Sequence, residues 1–180
     1  MRNLIRRSMF SYLFLISVAS VLGKGQNPSP EFTLAIQAER QSVEVGQTVV
    51  INVTRQNITD QTIDDNRTTN PMEYLTFRVS RDGVPVAETA ELQKMHGRGL
   101  APGEVQTIVT SPYFAKLKPG ESSHDTVEVS HYYDMSKPGT YSISALQETR
   151  PGLPEKSVSV KSNTITITVL PAGDPSAAQQ

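Results

Sequence analysis

The chain has 180 residues, with 17 Lys and Arg against 18 Asp and Glu, and it contains no cysteine. The missing cysteines exclude disulfide bonds and lipid-modified cysteines, so a folded domain must be stabilised by core burial alone. The near-neutral charge argues against a nucleic-acid partner, because nothing in the composition would attract phosphate backbones.

The N-terminal segment is typical of a secretory signal peptide. Arg2, Arg6 and Arg7 form a positive start, Met9–Leu22 is an uncharged and mostly apolar run, and Gly23 is a small residue suited to cleavage. The apolar run is shorter than the roughly 20 residues that span a bilayer, which disfavours a membrane anchor. We therefore expect a secreted or periplasmic product that is soluble and has no membrane contact after cleavage. Cleavage would leave 14 of the 17 basic residues against 18 acidic ones, a net charge of −4.

Most segments between residues 31 and 170 alternate apolar and polar side chains with a period of two, which is typical of half-buried β-strands. In chain order the alternating runs are Phe32–Ala38, Val43–Val45, Val49–Thr54, Leu75–Val79, Val84–Thr89, Val105–Thr110, Tyr113–Leu117, Thr126–Ser130, Tyr141–Ala145 and Thr164–Val169. Asp82-Gly83 is a dipeptide typical of a hairpin turn. No run has the period of an amphipathic helix, so we expect little helix. Two sheets of such strands would bury their apolar sides against each other.

Two Pro-Gly corners punctuate the second half of the chain. Pro119-Gly120 precedes one alternating strand, and Pro138-Gly139 leads into the strand that contains Tyr141. A tyrosine at the start of a late strand can bury its ring while its hydroxyl bonds to upstream backbone, the tyrosine corner of immunoglobulin-like sandwiches. We predict an all-β fold, a single immunoglobulin-like antiparallel β-sandwich, in which Gly120, Pro138, Gly139 and Tyr141 have structural roles.

The second half also resembles a group of exported bacterial immunoglobulin-like β-sandwich domains of unassigned function. The residues that carry the resemblance are Leu-Lys-Pro-Gly-Glu at 117–121, Tyr-Asp-Met-Ser at 133–136, Pro-Gly-Thr-Tyr at 138–141 and Lys-Ser-Asn-Thr-Ile-Thr-Ile at 161–167. A similar order occurs in the propeptide domain of deuterolysin-type metalloproteases and in bacterial intracellular proteinase inhibitors. The resemblance implies a fold and no catalytic residue, since these are turn and core positions.

The expected organisation has one folded domain between two polar segments that cannot bury a core. It consists of a signal peptide at 1–23, a disordered linker at 24–30, the β-sandwich at 31–170 and a disordered tail at 171–180.

Catalysis finds little support in the motifs. Ser122, Ser123, His124 and Asp125 are suitable residue types, but adjacent residues cannot converge as a catalytic triad does. The chain also lacks a G-x-S-x-G elbow, an S-x-x-K motif and a cysteine nucleophile. We interpret these four residues as a polar turn entering a strand, and we expect no enzyme.

Metal binding has one candidate segment. Asp60, Asp64 and Asp65, with Asn57 and Asn66, are rich in oxygen ligands that calcium prefers, although their spacing fits no EF-hand. A flexible acidic loop has the same composition. The histidines, which are His96, His124 and His131, lack the spacing of a metal site. We predict no cofactor and no metal.

Two polar segments exceed the usual length of a connection: Arg55–Pro71 and Gln147–Lys156. In an immunoglobulin-like sandwich, loops at these places emerge at the same end. Their charged side chains are the candidate binding residues: Asp60, Asp64, Asp65, Arg67, Glu148, Arg150, Glu155 and Lys156. We therefore expect an exported, non-catalytic module that binds an unidentified protein or glycan. The alternative is a proteinase inhibitor or a propeptide-like chaperone module.

Overall fold

The computed structural model describes residues 29–100, 103, 112–149 and 157–173. Within them the chain forms strands β1 Phe32–Ala38, β2 Ser42–Glu44, β3 Val50–Asn57, β4 Ile63–Thr68, β5 Leu75–Arg81, β6 Val84–Pro85, β7 Pro112–Leu117, β8 Ser122–Glu128, β9 Gly139–Glu148 and β10 Ser159–Leu170. Two short helices, α1 Ala90–Met95 and α2 Val129–Tyr132, and a 3-10 turn, Pro71–Glu73, complete these elements. The predicted signal peptide, most of the linker and tail, and the predicted strand at 105–110 lie outside the described residues.

The strands form two main sheets and one small pair. One sheet has the order β1-β3-β8 and is antiparallel throughout. The other has the order β2-β10-β9-β5-β6, in which β2 runs parallel to β10 and the remaining pairs are antiparallel. β4 and β7 form a separate antiparallel pair. The fold is an immunoglobulin-like β-sandwich, as the sequence predicted.

The core lies between the two main sheets. Alternation along each strand turns one face inward, so that β1 buries Phe32, Leu34 and Ile36 while the intervening residues stay exposed. The most deeply buried apolar residues come from both sheets and from the short helices: Ile51, Ile143, Ala145, Ile167, Leu92 and Val129. Burial of each large aliphatic side chain contributes about 1.5–3 kcal/mol, which is how a domain without disulfides is stabilised.

Asn163 joins the edges of the two sheets. β10 carries a bulge between Lys161 and Thr164, and the bulge lets Asn163 reach across to β1. Its side-chain oxygen accepts from Ile36 N at 2.8 Å, and its amide nitrogen donates to Ile36 O at 3.0 Å. The paired hydrogen bonds set the position of β1 against β10.

Tyr141 has the geometry of a tyrosine corner. It is 1% exposed, and its hydroxyl donates to Lys137 O at 2.7 Å. The preceding Gly139 has φ of +149°, and a Cβ there would lie 2.9 Å from the Cδ of Arg81. A side chain at residue 139 would therefore be strained and would clash with the neighbouring strand.

Two predicted strands are shorter than the alternation suggested. The run Val84–Thr89 yields only β6, and Thr89 then caps α1 by accepting from Leu92 N. The run Thr126–Ser130 stays extended only to Glu128, because α2 begins at Val129. In the second run a single helical turn buries Val129 just as an inward strand position would.

The predicted loop Arg55–Pro71 is also partly regular structure. It contains the end of β3, the whole of β4 and the first residue of the 3-10 turn. The interpretation of Ser122–Asp125 as a turn was wrong as well, because these residues begin β8. Charged side chains at inward positions hid the period of both strands.

Candidate functional site

The core becomes polar at one end of the sandwich, where β3 and β9 end and β8 begins; we call this the polar end. On β3 the buried positions continue from Ile51 and Val53 to Arg55 and Asn57. Arg55 is 2% exposed, so a guanidinium group lies where the sheet would otherwise place an aliphatic side chain. A buried charge is tolerated only when partners neutralise it.

Four charged residues neutralise one another around Arg55, and we call them the charge ring. Arg55 pairs with Asp125 on β8 through Nη2, and its Nη1 lies 3.4 Å from Asp65 Oδ1 on β4. Arg67 closes the ring, with Nε 2.9 Å from Asp65 Oδ2 and Nη1 2.9 Å from Asp125 Oδ1. The ring therefore ties the β4–β7 pair to the β3–β8 face of the sandwich.

The carboxylates of the ring act on the charge of Arg67. Burial alone would lower the pKa of Arg67, but the carboxylates of Asp125 and Asp65 outweigh it and raise that pKa. The Arg55 guanidinium lies over the Tyr74 ring, 5.1 Å from its centroid. Burial, followed by the negative charge of Asp125, raises the pKa of Tyr74. Tyr74 is consequently a neutral phenol beside two fixed cations.

A cleft of about 910 Å³ opens beside the charge ring. Its walls come from the start of β1, the segment 59–66, Tyr74 and the end of β9. Among the described residues, the carboxylate and guanidinium side chains that line it are five acids and one base: Glu31, Asp60, Asp64, Asp65, Glu148 and Arg55. The cleft is therefore acidic.

Gln147 is one of the side chains in the cleft wall that carry a buried polar atom without a hydrogen-bond partner, along with Arg55, Asp65 and Tyr74. It faces inward at the end of β9, between Leu75 and Val160 of the neighbouring strands, and is 8% exposed. Its Oε1 is buried without a hydrogen-bond donor. A buried acceptor without a partner costs about 1–3 kcal/mol.

Four of the predicted binding residues line this cleft: Asp60, Asp64, Asp65 and Glu148. Arg67 belongs to the charge ring. The other three, Arg150, Glu155 and Lys156, lie outside the described residues. The structure thus brings the segment after β3 and the end of β9 to one cleft, and binding there stays a prediction.

Sequence reasoning missed Asp125, Tyr74 and Gln147 as parts of the site. The available signal was the continuing period of two: Asp125 lies two residues before buried Val127, and Gln147 lies two residues after buried Ala145. Extending the inward face of each strand past its last apolar residue would have found both.

The geometry disfavours calcium at the acidic segment. Asn57 donates through its amide to Gln61 O at 2.7 Å and Leu117 O at 2.9 Å, and its oxygen accepts from Thr59 N at 2.8 Å. Asp64 and Asp65 lie on opposite faces of β4. The part of the chain that the structure describes contains no group of three His, Cys, Asp or Glu side chains that could hold a metal ion. It also contains no helix long and apolar enough to cross a membrane.

Comparison with known proteins finds distant structural likeness only. No family model matches the chain, and no curated protein matches it. The CARDB domain of PF1109 from Pyrococcus furiosus is similar in its solution NMR structure, with 14% identity, a TM-score of 0.40 and coverage of 79% of this chain and 97% of that one. Its crystal structure in complex with di-metal ions gives 14% identity, a TM-score of 0.40 and coverage of 78% and 89%.

A β-glucosidase from Erythrobacter marinus, EmGH1, is similar at 15% identity and a TM-score of 0.38, over 77% of this chain and 15% of that chain. Likeness at this level carries no argument about function. Nothing in these comparisons supports the resemblance to deuterolysin-type propeptides or to proteinase inhibitors.

Proposed function

We propose that the protein is an exported, non-catalytic binding module that captures a protein or glycan in the cleft at its polar end. The observation that carries the proposal is the cleft itself, about 910 Å³ in volume and walled by polar side chains from both main sheets. Binding sites are typically concave and carry a few convergent polar groups, and they are often built where loops leave a rigid scaffold.

The charge ring supports this proposal because stability does not explain it. Replacing a buried ion-pair network by apolar side chains of similar volume is often neutral or stabilising by about 1–4 kcal/mol. Arg55, Asp65 and Asp125 are all largely buried, so they carry that desolvation cost. A role in shaping the cleft wall accounts for keeping them.

One hydroxyl–imidazole pair of the described residues lies outside the cleft. Thr54 and His124 share a hydrogen bond of 3.1 Å between Oγ1 and Nδ1 on the exposed face of the sheet. Among the described residues no carboxylate is bonded to that imidazole, and the pair does not line the cleft. A triad needs all three groups in one hydrogen-bonded chain.

Charge reversal at the cleft tests the proposed site. Asp60→Lys combined with Glu148→Lys should abolish capture of the partner, since both side chains are exposed in the cleft wall. Glu39→Lys is the matched control, because Glu39 is exposed at the opposite end of the sandwich, where β1 ends. The partner is first identified by crosslinking in the exported fraction and then purified for titration. Equal affinity of the double variant and the control would overturn the proposal.

A proteinase inhibitor or propeptide-like chaperone remains the second proposal, and it rests on the local residue order around Pro119-Gly120 and Pro138-Gly139. A panel of purified proteases separates it from the first. An inhibitor should block at least one protease at a stoichiometric ratio, whereas a module of the first kind should leave every protease active.

A further inference from the structure

We infer that the cleft binds a cationic N–H donor, the ammonium or guanidinium group of a lysine or arginine side chain on a partner protein. The inference rests on the proposed binding function and specifies its ligand. It depends on the charge of the cleft wall, on the unsatisfied acceptor of Gln147 and on the spread of the acidic groups.

The cleft wall carries negative charge that the described residues leave uncompensated. Arg55 is the base that lines the cleft, and its charge is already matched by Asp65 and Asp125. Asp64 pairs with Lys116 at 3.3 Å. Glu148 accepts a hydrogen bond from the Ser157 hydroxyl at 2.7 Å, and this hydroxyl supplies no positive charge. Asp60 has no ion pair within the described residues. These carboxylates would repel an anionic ligand, and they would attract a cationic group.

Gln147 points to the same ligand independently of charge. Its side chain is more than nine-tenths buried, it lines the cleft, and its Oε1 lacks a donor. An N–H donor that entered the cleft and reached this oxygen would supply the missing hydrogen bond. Hydrogen bonds from a charged donor are the stronger kind, so an ammonium or guanidinium suits this acceptor better than a neutral hydroxyl.

The distribution of the acids favours an organic cation over a metal ion. The acidic side chains belong to the start of β1, the segment 59–66 and the end of β9, and the described residues contain no cluster of three metal-ligating side chains. Arg55 also lines the cleft, and its buried Nε has no hydrogen-bond partner. A peptide carries a carbonyl oxygen next to its cationic side chain and could accept from that Nε, whereas a free polyamine could not.

Calorimetric titration of the purified protein tests the inference with four probes: a capped Gly-Lys-Gly-Lys-Gly peptide, the same peptide with acetylated lysines, spermidine, and calcium chloride. The unmodified peptide should bind at least about tenfold more tightly than the acetylated one. Asp60→Asn with Glu148→Gln should weaken peptide binding by about tenfold, and Glu39→Gln should leave it unchanged.

Gln147 variants separate a specific site from general attraction between opposite charges. Gln147→Leu keeps the net charge and should weaken peptide binding several-fold, while Gln147→Glu should strengthen it, because a carboxylate is a better partner for a cation. Thermal melts identify any variant that fails to fold, and Gln147→Glu then carries the test. Binding that is insensitive to both Gln147 variants would overturn the inference.

The remaining outcomes are also decisive. Tighter binding of spermidine than of the peptide, or saturable binding of calcium that displaces the peptide, would overturn the assignment to a protein side chain. If the charge-reversed double variant loses its natural partner but the wild-type protein does not bind the lysine peptide, the proposed function stands and the cationic ligand is rejected. If the cleft variants capture the natural partner and bind the peptide as well as the wild-type protein does, both the proposed function and the cationic ligand are rejected.

Discussion

Where β9 begins, the space between the sheets is filled by Tyr141, whose ring is buried and whose hydroxyl bonds to Lys137 O at 2.7 Å. Where β9 ends, the same inward face carries Gln147, with an unsatisfied oxygen, in the cleft that the buried Arg55 also lines. One end of the sandwich is therefore filled by an aromatic ring whose hydroxyl has a hydrogen-bond partner. The other end carries buried charges and an open cleft.

The difference shows which end is built for stability. Burial of the Tyr141 ring removes apolar area from water, and the buried hydroxyl keeps a hydrogen-bond partner. Burial of Arg55, Asp65 and Asp125 removes charges from water, and their mutual attraction does little more than offset that cost. The apolar end should tolerate little change, and the polar end should trade stability for binding.

The largest effect is expected at the apolar end. Tyr141→Ala should lower the free energy of unfolding by about 4 kcal/mol, because it deletes a large buried aromatic ring and leaves a cavity. Tyr141→Phe, which loses only the hydrogen bond to Lys137 O, should cost about 1 kcal/mol. Urea denaturation monitored by circular dichroism measures both. Similar small losses for the two variants would show that the ring is not a core element.

Removing one charge from the charge ring should lower the free energy of unfolding strongly. Removing one positive and one negative charge together should lower it only weakly. Arg55→Met leaves Asp65 and Asp125 with Arg67 alone and should cost about 3 kcal/mol. Arg55→Met combined with Asp125→Leu keeps one matched pair, Arg67 with Asp65, and should recover most of that loss. A double-mutant cycle from urea melts gives the coupling, expected at about 2 kcal/mol. Additive losses would mean that the ring does not act as a unit.

Raising the pH tests the burial of a core tyrosine, Tyr133, without changing the volume of its side chain. Tyr133 is 6% exposed and donates to Phe77 O at 2.7 Å, and burial raises its pKa to about 12. In the unfolded chain a tyrosine ionises near pH 10, so between about pH 10 and 12 the unfolded state releases the proton first. The stability contributed by this group is therefore present below pH 10 and is lost as the pH rises.

The expected loss is about 1.4 kcal/mol per pH unit within that window. Urea midpoints of the wild-type protein and of Tyr133→Phe, compared at pH 9 and at successive points up to pH 12, measure it. The variant should start lower at pH 9 and fall less steeply. Parallel decline of the two proteins would show that Tyr133 ionises as readily in the folded state as in the unfolded chain.

The smallest effect is expected on the outer face of β4. Asp64 and Lys116 form an exposed cross-strand pair at 3.3 Å, and Asp64→Asn should change stability by less than about 0.5 kcal/mol. Its neighbour provides the contrast: Asp65→Asn removes a member of the charge ring and should cost several times as much. Equal effects in thermal melts would contradict the assignment of the two carboxylates to opposite faces.

The sequence predicted those parts of the fold whose inward residues are apolar. The period of two in β1 and β3 identified their buried faces correctly, and Asp82-Gly83 forms the expected hairpin turn with φ of 51° and 83°. β4 was not recognised, because two of its inward residues are Asp65 and Arg67. Its alternation is between buried and exposed charge, which a hydropathy pattern cannot distinguish from a polar loop.

The sequence predicted several residues of the cleft but not which side chains contact one another there. Asp60, Asp64, Asp65 and Glu148 could be named from the sequence, because long polar segments after a second and a late strand are typical sites of binding loops. That Asp125 pairs with Arg55, and that Gln147 is left with an open acceptor, depended on where β8 and β9 lie against β3 and β5. Neither strand register is encoded locally.

What the sequence determined by itself is the class of fold and the inward face of each apolar strand, because side-chain alternation follows from the backbone geometry of neighbouring residues. Only the tertiary structure decided which charges meet. Ion pairing and cleft shape depend on the register between strands that are far apart in the chain, and that register is set by the packing of the whole core.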